Sequence, residues 1–399
     1  MAKLVAAPLT YGLWRPTHIR YILRDLLFPS SREPQEDKIH LRGALEWLCR
    51  AQDRLDGTAS AGGVSAGWSF EDGWLPAYPE TSGYIVETFI AAAEILDNPD
   101  YKKRAGRILD WELSIQNPDG SFPGHFAEAG SKPVIFNTGQ IMHGLTEGYR
   151  IFKEEEYLDA ALRAGWWLQK SQDDDGCWRR NTHGGIIHTY NTRAAWALLR
   201  VARLSNDSKL ENAAKKNLEW AITCQSANGW FRQNGFKLGQ APYTHTIAYA
   251  VRGLLEGGIL LDDGAMIDSA AQAAHGVLRK MDDSGGLAGA FADDWVPAAG
   301  YCCLTGLAQF SIIWTRLGRL TGDNSLFLGA RRANNYLKKN HILSGKQSPD
   351  DGGIAGSQPI WGAYSRFEYP NWAAKFFADA LMVQMESGEI PAQIGGNGG

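Results

Sequence analysis

Two kinds of helical segment alternate along the chain. One kind has apolar residues every three or four positions and a charged opposite face, as in residues 157–172, which is typical of helices on the outside of a protein. The other kind is more apolar and richer in small residues, as in residues 138–152, which is typical of helices buried on most sides. Strand-like alternation is nearly absent. The pattern predicts an all-α protein.

Six segments of each kind alternate. The predicted outer helices cover 38–52, 101–116, 157–172, 208–225, 266–281 and 325–341. The predicted inner helices cover 82–96, 138–152, 189–204, 244–260, 302–320 and 371–385. Twelve helices in this order, an outer one and then an inner one in each of six hairpins, predict an (α/α)6 toroid with inner and outer rings.

A sequence repeat accompanies the helical pattern. A Trp stands five residues before a Gln in four copies: Trp47 and Gln52, Trp111 and Gln116, Trp167 and Gln172, Trp220 and Gln225. Three of these Gln residues are followed by a Gly and an aromatic residue, in QNPDGSF, QDDDGCW and QSANGWF. Weaker copies follow at 275–286 and 334–353. Regular recurrence of this kind predicts one structural unit repeated around a closed ring.

The connections between helices are of two lengths. Links from an inner to an outer helix are short and rich in helix-capping Asp, Asn and Ser, whereas links from an outer to an inner helix are long and carry much of the Gly, Trp, His and Arg. In a toroid all long links lie at one end, beside the N-termini of the inner helices. We therefore expect a funnel-shaped functional site at that end.

Length and composition narrow the choice of partners. The 399 residues alone favour two or three domains, but the repeat predicts one toroid domain at 38–386, an N-terminal extension at 1–37 and a flexible tail at 387–399. A net charge of -4 without a long basic run argues against nucleic acid binding. No apolar run is long enough to span a membrane, although residues 19–28 are amphipathic enough for peripheral membrane contact.

The five cysteines are scattered and form no CxxC pattern. This distribution predicts neither a disulfide framework nor a metal site, and it favours a cytoplasmic location. We expect no cofactor.

The repeat resembles a known family. The segments RILDWELSIQNPDGSF, RAGWWLQKSQDDDGCW and KNLEWAITCQSANGWF resemble the QW motifs of squalene and terpenoid cyclases, and residues 285–310 resemble a repeat of protein prenyltransferase β subunits. The resemblance implies the terpenoid-cyclase and prenyltransferase-like toroid superfamily over about residues 38–386, with the repeated Trp and Gln in structural roles. A DxDD acid motif is absent, and no His precedes Cys302 and Cys303 to complete a zinc site.

The same toroid architecture also houses polysaccharide lyases, glycoside hydrolases and sugar epimerases, so the funnel residues must decide the function. His and Tyr supply acids and bases, Asn, Gln and Arg bind a carboxylate, and aromatic rings stack on sugars. The predicted catalytic residues are His188, Tyr190, Asn191, Arg193, Tyr243 and His245. The predicted substrate-binding residues are Asn137, Gln140, Trp178, Arg179, Arg232, Trp295, Trp361, Arg366 and Tyr369. In residue types only, this set resembles the metal-independent sites of toroid polysaccharide lyases.

Four functions fit the sequence. The favoured one is proton abstraction at C5 of a uronic-acid-containing polysaccharide, giving either β-elimination or epimerisation. A glycoside hydrolase is an alternative, because Glu80 and Glu368 start the first and last inner helices, which become neighbours when the toroid closes. A terpenoid-cyclase-like enzyme acting on an isoprenoid is a third hypothesis, and a non-catalytic toroid that binds a glycan or a protein is a fourth.

Overall fold

A computed structural model describes residues 10–27, 33–126 and 131–387 of the chain. A short helix, α1 (Pro16–Leu27), precedes the toroid. The outer helices are α2 (Asp37–Asp53), α4 (Asp100–Ile115), α6 (Glu155–Ser171), α8 (Ser208–Thr223), α10 (Gly264–Leu278) and α12 (Asn324–Asn340). The inner helices are α3 (Pro79–Ile95), α5 (Ile135–Phe152), α7 (Thr192–Ser205), α9 (Thr244–Leu261), α11 (Leu304–Thr321) and α13 (Asn371–Glu386). The predicted (α/α)6 toroid is confirmed.

The inner helices pack side by side in chain order, and α13 packs against α3 to close the ring. Each later outer helix packs mainly on the inner helix that precedes it, as α4 does on α3. The sequence analysis predicted hairpins in which each outer helix pairs with the inner helix that follows it, and this pairing is wrong. The short links explain this arrangement, because only they let two antiparallel helices meet directly. The first outer helix, α2, packs on the last inner helix, α13, so both ends of the chain complete one hairpin.

Polar side chains hold this closure. Asp37 at the start of α2 accepts hydrogen bonds from Lys338 Nζ at 2.8 Å and from Gln384 Nε2 at 2.7 Å. Asn371, the first residue of α13, donates from Nδ2 to the Ser65 carbonyl at 2.9 Å and to Thr81 Oγ1 at 2.8 Å. The buried amide therefore joins the last repeat to the first one and fixes their relative position.

The repeated glutamines share one hydrogen-bonding pattern. Each donates from Nε2 to the carbonyl of a glycine in its own turn and to a carbonyl of the next outer helix. The pairs of acceptors are Gly62 and Arg104 for Gln52, Gly120 and Ala160 for Gln116, Gly176 and Ala213 for Gln172, and Gly229 and Ser269 for Gln225, at 2.9–3.1 Å. One side chain thus satisfies two carbonyls and joins neighbouring repeats.

The glycine of this turn recurs in all six repeats, including the two weak ones. The six have positive φ angles: Gly62 (104°), Gly120 (93°), Gly176 (87°), Gly229 (91°), Gly285 (92°) and Gly352 (81°). A Cβ at Gly62 would stand 2.5 Å from the carbonyl oxygen of Arg107 on the neighbouring outer helix. Both the angle and the close approach therefore require glycine.

Short strands stiffen the long links. They are β1 (Gly67–Ser69), β2 (Gly73–Trp74), β3 (Phe291–Ala292), β4 (Val296–Pro297), β5 (Cys302–Cys303), β6 (Ser357–Gln358) and β7 (Glu368–Pro370). They form antiparallel pairs in the orders β2-β1-β7, β3-β4 and β5-β6. The pairing of Trp68 with Tyr369 in β1 and β7 joins the first long link to the last one.

Helix α1 lies on this junction between the first and last repeats. The His18 ring stacks on Phe70 with centroids 4.1 Å apart, Tyr21 donates to Asp350 at 3.0 Å, and Asp25 accepts from the Ile360 N–H at 2.9 Å. The opposite face leaves Leu23 and other apolar side chains exposed, and the predicted membrane contact stays a prediction. In the described part of the chain, no helix is long and apolar enough to cross a membrane. Residues 388–399, nearly all of the predicted tail, lie outside the described residues.

We expect Trp47→Ala to destabilise the protein by about 3–5 kcal/mol, as for other buried Trp side chains. Trp47 is fully buried, and its indole N–H donates to the Pro349 carbonyl of the last repeat at 2.7 Å. The half-exposed Trp166 is the control, and its replacement by Ala should cost less than about 1 kcal/mol. Urea unfolding measures both values, and equal losses would contradict a structural role for Trp47 in closing the toroid.

Candidate active site

A cavity of about 310 Å³ opens among the N-terminal ends of the inner helices, at the end of the toroid where the long links lie. Fifteen described residues line it, and nine of these are aromatic: Tyr78, Tyr84, Phe136, Tyr190, Phe236, Tyr243, Tyr249, Tyr364 and Trp372. The others are Glu80, Asn137, His183, His245, Ala363 and Ser365. The cavity is thus an aromatic chamber with a small number of proton-exchanging groups.

Among the described residues that line the cavity, Glu80 carries the carboxyl group. It lies in the first turn of α3 and is 8% exposed. Burial raises the pKa of Glu80 to about 7, although a hydrogen bond from Tyr78 and the positive charge of Arg193 partly oppose the rise. A carboxyl group with this pKa is partly protonated at neutral pH, so it can both donate and accept a proton.

Asn137, in the first turn of α5, orients this carboxyl group. With the Asn137 carbonyl accepting from the His125 backbone N–H at 3.2 Å, its Nδ2 donates to Glu80 Oε2, also at 3.2 Å. The hydrogen-bonding partners on both sides of the amide assign this orientation. The carboxyl group is therefore held by neighbours on two inner-helix starts.

His245 stands on the far side of the cavity. It begins α9, the fourth inner helix, which lies opposite α3 in a ring of six. Gln309 Nε2 approaches His245 Nδ1 at 2.7 Å and is also directed at the Thr305 carbonyl at 3.4 Å. Nδ1 therefore accepts, which places the proton of the neutral ring on Nε2. Burial, and then the charge of Arg193, lower the pKa of His245 to about 3, so the ring is neutral at pH 7.

Arg193 lies one layer below the cavity. Its Nε donates to Gln140 Oε1 at 2.5 Å, and no carboxylate of the described residues forms an ion pair with it. The guanidinium is instead surrounded by the rings of Tyr84, Trp196, Tyr249 and Phe376, at 5.2–5.9 Å from their centroids. Cation–π contacts stabilise this buried charge, which leaves a positive potential beneath the chamber.

The predicted catalytic group around α7 is divided by the structure. Tyr190 lines the cavity, whereas His188 lies behind it, with the two rings 4.4 Å apart. The His188 nitrogens face the main-chain carbonyls of Gly235 at 3.1 Å and His183 at 2.7 Å, and the one N–H of the neutral ring can donate to either of them. Asn191 is buried in the turn before α7 and does not line the cavity. Tyr243 does line it.

The predicted binding residues are also spread out. Trp178 and Trp295 are buried outside the cavity lining, and each indole N–H donates to a main-chain carbonyl at 2.9 Å. Tyr369 is covered by α1 and accepts a hydrogen bond from Arg24 at 3.0 Å.

The remaining predicted binding residues lie on the surface or in the long links. Arg179 pairs with Asp173 and Asp175 on the surface. Trp361, Arg366 and Glu368 lie in the last long link and its strand β7, outside the cavity lining, whereas Arg232 lines a second cavity.

Several cavity residues were not predicted. Tyr84 and Tyr249 stand one helical turn after Glu80 and His245, so the spacing of four residues along each inner helix was a usable signal. Phe236 and Tyr364 come from the long links, where no periodic pattern indicates which way a side chain points. Within the described residues, no group of three His, Cys, Asp or Glu side chains is placed to hold a metal ion.

Known proteins with similar sequence or structure agree with this architecture. A family model of the squalene-hopene cyclase C-terminal domain matches residues 69–253. A search of curated proteins found no match. The chain has the α/α-toroid fold. The predicted resemblance of its repeats to the terpenoid-cyclase and prenyltransferase-like toroid superfamily is confirmed by the family-model match over residues 69–253.

Solved structures of sugar-processing proteins share the fold. Unsaturated glucuronyl hydrolase from Bacillus sp. GL1 is 13% identical with a TM-score of 0.67, covering 87% of this chain and 96% of that one. Cellobiose 2-epimerase from Bacillus thermoamylovorans B4167 is 14% identical with a TM-score of 0.67, covering 86% and 97%. A sugar epimerase from a ruminal bacterium is 13% identical with a TM-score of 0.69, covering 93% and 99%. The TM-scores establish a common fold, and identities this low carry no information about the chemistry of the site.

The raised pKa of Glu80 should make stability depend on pH. Between its ordinary pKa of 4.5 and its folded value of about 7, the folded chain retains a proton that the unfolded chain has released, so this group destabilises the fold as pH rises. The stability of Glu80→Gln relative to the wild type should therefore increase by roughly 3 kcal/mol between about pH 4 and pH 8. Urea unfolding at both pH values measures the difference, with the exposed Glu156→Gln as the matched control. A pH-independent difference for Glu80→Gln would contradict the buried, proton-holding carboxyl group.

Proposed function

We propose that the protein is a carbohydrate-active enzyme that acts on a uronic-acid-containing glycan, with Glu80 as its acid–base group. The observation that carries the proposal is the position of Glu80, a buried carboxyl group with a pKa of about 7 in the wall of an aromatic cavity. Perturbed carboxyl groups in clefts are frequent at catalytic sites, because a pKa near the working pH suits proton transfer.

The lining favours a sugar as the ligand. Six of the nine aromatic residues are tyrosines, which combine a face for stacking with a hydroxyl for hydrogen bonding. Asn137 and His245 add polar contacts at opposite sides of the chamber. A cavity of about 310 Å³ lies at the small end of the range for ligand pockets, so we expect one reacting sugar residue to enter at a time.

Proton abstraction at C5 is the reaction that we favour. The Glu80 carboxylate takes the C5 proton, while the positive potential from Arg193 stabilises the negative charge that develops on the sugar carboxylate. In elimination, the C5–H electron pair forms the C4–C5 double bond and the C4–O bond breaks, after which O4 takes a proton. In epimerisation, a proton returns to the other face of C5. A cavity tyrosine such as Tyr243 is available as the donor.

The alternatives receive different support. Hydrolysis by two facing carboxylates is less favoured, because Glu80 is the one carboxyl group among the described lining residues.

An isoprenoid enzyme is the second candidate. It is favoured by the aromatic lining around a single acid and by the match to the squalene-hopene cyclase C-terminal domain. The hypothesis of a sugar substrate is further supported by the glucuronyl hydrolase and epimerases of the same fold.

Assays with defined polymers test the proposal. Glucuronan, alginate and hyaluronan are incubated with the protein, the ultraviolet absorbance of unsaturated uronides reports elimination, and C5–H exchange in D₂O, followed by NMR, reports epimerisation. We expect activity on at least one polymer, and we expect Glu80→Gln to lower kcat by roughly 10²–10⁴-fold, the usual contribution of an acid–base group. The exposed Glu156→Gln is the matched control and should leave kcat unchanged.

Other outcomes would redirect the assignment. Release of reducing ends without unsaturation, lost in both Glu80→Gln and Glu368→Gln, would contradict C5 proton abstraction and favour the hydrolase. Turnover of a polyprenyl substrate with no reaction on any glycan would favour the isoprenoid enzyme. Full activity of Glu80→Gln on a uronic acid polymer would exclude Glu80 as the acid–base group.

A further inference from the structure

A second cavity adjoins the candidate active site. It has a volume of about 570 Å³ and is lined mainly by the long link between α8 and α9. The two cavities share this link as a wall, because Phe236 and Tyr243 line the active-site cavity while their neighbours Gly235, Lys237 and Pro242 line the second one. We call the second cavity the side groove. The side groove therefore lies directly on the other side of this link from the active-site cavity.

The side groove carries two cationic side chains. Arg232 and Lys237 line it, both are exposed, and no carboxylate of the described residues forms an ion pair with either. Arg232 donates one hydrogen bond, to the Thr223 carbonyl at 2.8 Å. By contrast, Arg179 on the neighbouring link is bound to two aspartates. Arg232 and Lys237 are therefore available to bind an external anion.

The remaining lining suits a sugar. Trp230 is half-buried, and its indole N–H donates to the Phe291 carbonyl at 3.1 Å, which fixes the ring at the groove. Ile186 and Ile187 add apolar surface. Asp293 is the acidic member of the lining, and its Oδ1 accepts from the Asp294 backbone N–H at 2.8 Å. A fixed aromatic face beside two cations is the combination that an acidic sugar residue requires.

We propose that the side groove binds a second, carboxylate-bearing sugar of the same glycan whose neighbour reacts at Glu80. The inference rests on the proposed function and makes it more specific: the substrate is an oligomer or polymer with uronic acids at adjacent or nearby positions. A substrate with one isolated uronic acid would fill the active-site cavity and leave Arg232 and Lys237 without a ligand.

Affinity electrophoresis in native gels tests the groove independently of catalysis. The probes are alginate, glucuronan and hyaluronan, with hydroxyethyl cellulose as the neutral polymer, and Glu80→Gln is the background so that no probe is consumed. We expect at least one of the acidic polymers to retard the protein. In that background, Arg232→Gln with Lys237→Gln should weaken the binding at least about tenfold, because two charge-assisted contacts are lost. Raising the salt from about 50 to 300 mM should weaken binding more in the background protein than in the groove variant.

The matched control is Arg203→Gln with Lys209→Gln. It removes the same two charge types from exposed positions at the opposite end of the toroid, and it should bind the polymers like the background protein. Equal binding by the groove variant and this control, or no retardation by any acidic polymer, would overturn the side-groove proposal.

Kinetics of the wild-type background separate the two proposals. The groove variant should raise KM for an acidic polymer about tenfold or more with kcat changed less than about twofold, since the groove supplies binding away from the reacting bond. If Glu80→Gln keeps its activity while the groove variant loses binding, the assignment of Glu80 fails and the groove stands. If Glu80→Gln is inactive while the groove variant binds and turns over normally, the groove fails and the assignment of Glu80 stands.

Discussion

The hydrogen bonds of the repeated glutamines are the interaction on which the rest of the structure depends. Each amide connects the end of one outer helix to the main chain of the next, and each works only because a glycine with positive φ brings its turn against that neighbour. The same turn recurs in all six repeats, even where the Gln is replaced. Since every turn lies at the same end of the toroid, every long link emerges there. This repetition brings the starts of several inner helices together around the active-site cavity.

Closure of the toroid also creates the chemistry of the site. Burial removes water from Glu80 and His245 alike, which raises the pKa of the acid and lowers the pKa of the base, so both are able to exist uncharged near neutral pH. Beneath the chamber, Arg193 is held by aromatic rings and Gln140 instead of a carboxylate. The proposed function depends on the positive potential of Arg193, which would stabilise an anionic sugar in the chamber. This arrangement supports a uronic acid as the substrate.

The sequence predicted the fold far better than the site. The boundaries of all twelve toroid helices lie within three residues of their predicted positions, because periodic apolar residues and the Gly turns are local signals. Glu80 and His245 were found because they begin inner helices. His188 fits the same rule, yet the structure turns its ring toward two carbonyls. Only tertiary packing distinguishes these outcomes, and only burial sets the pKa of Glu80, so neither was accessible from residue types and spacing.

The proposed chemistry depends on a carboxyl group in the cavity that titrates near neutral pH. The most direct measurement is a pH titration of the side-chain carboxyl signals of ¹³C-labelled glutamate by NMR, in the wild type and in Glu80→Gln. We expect one resonance that is absent from the variant and has a midpoint near pH 7. A Glu80 resonance that titrates at the ordinary glutamate value of 4.5 would contradict the proposed acid–base role.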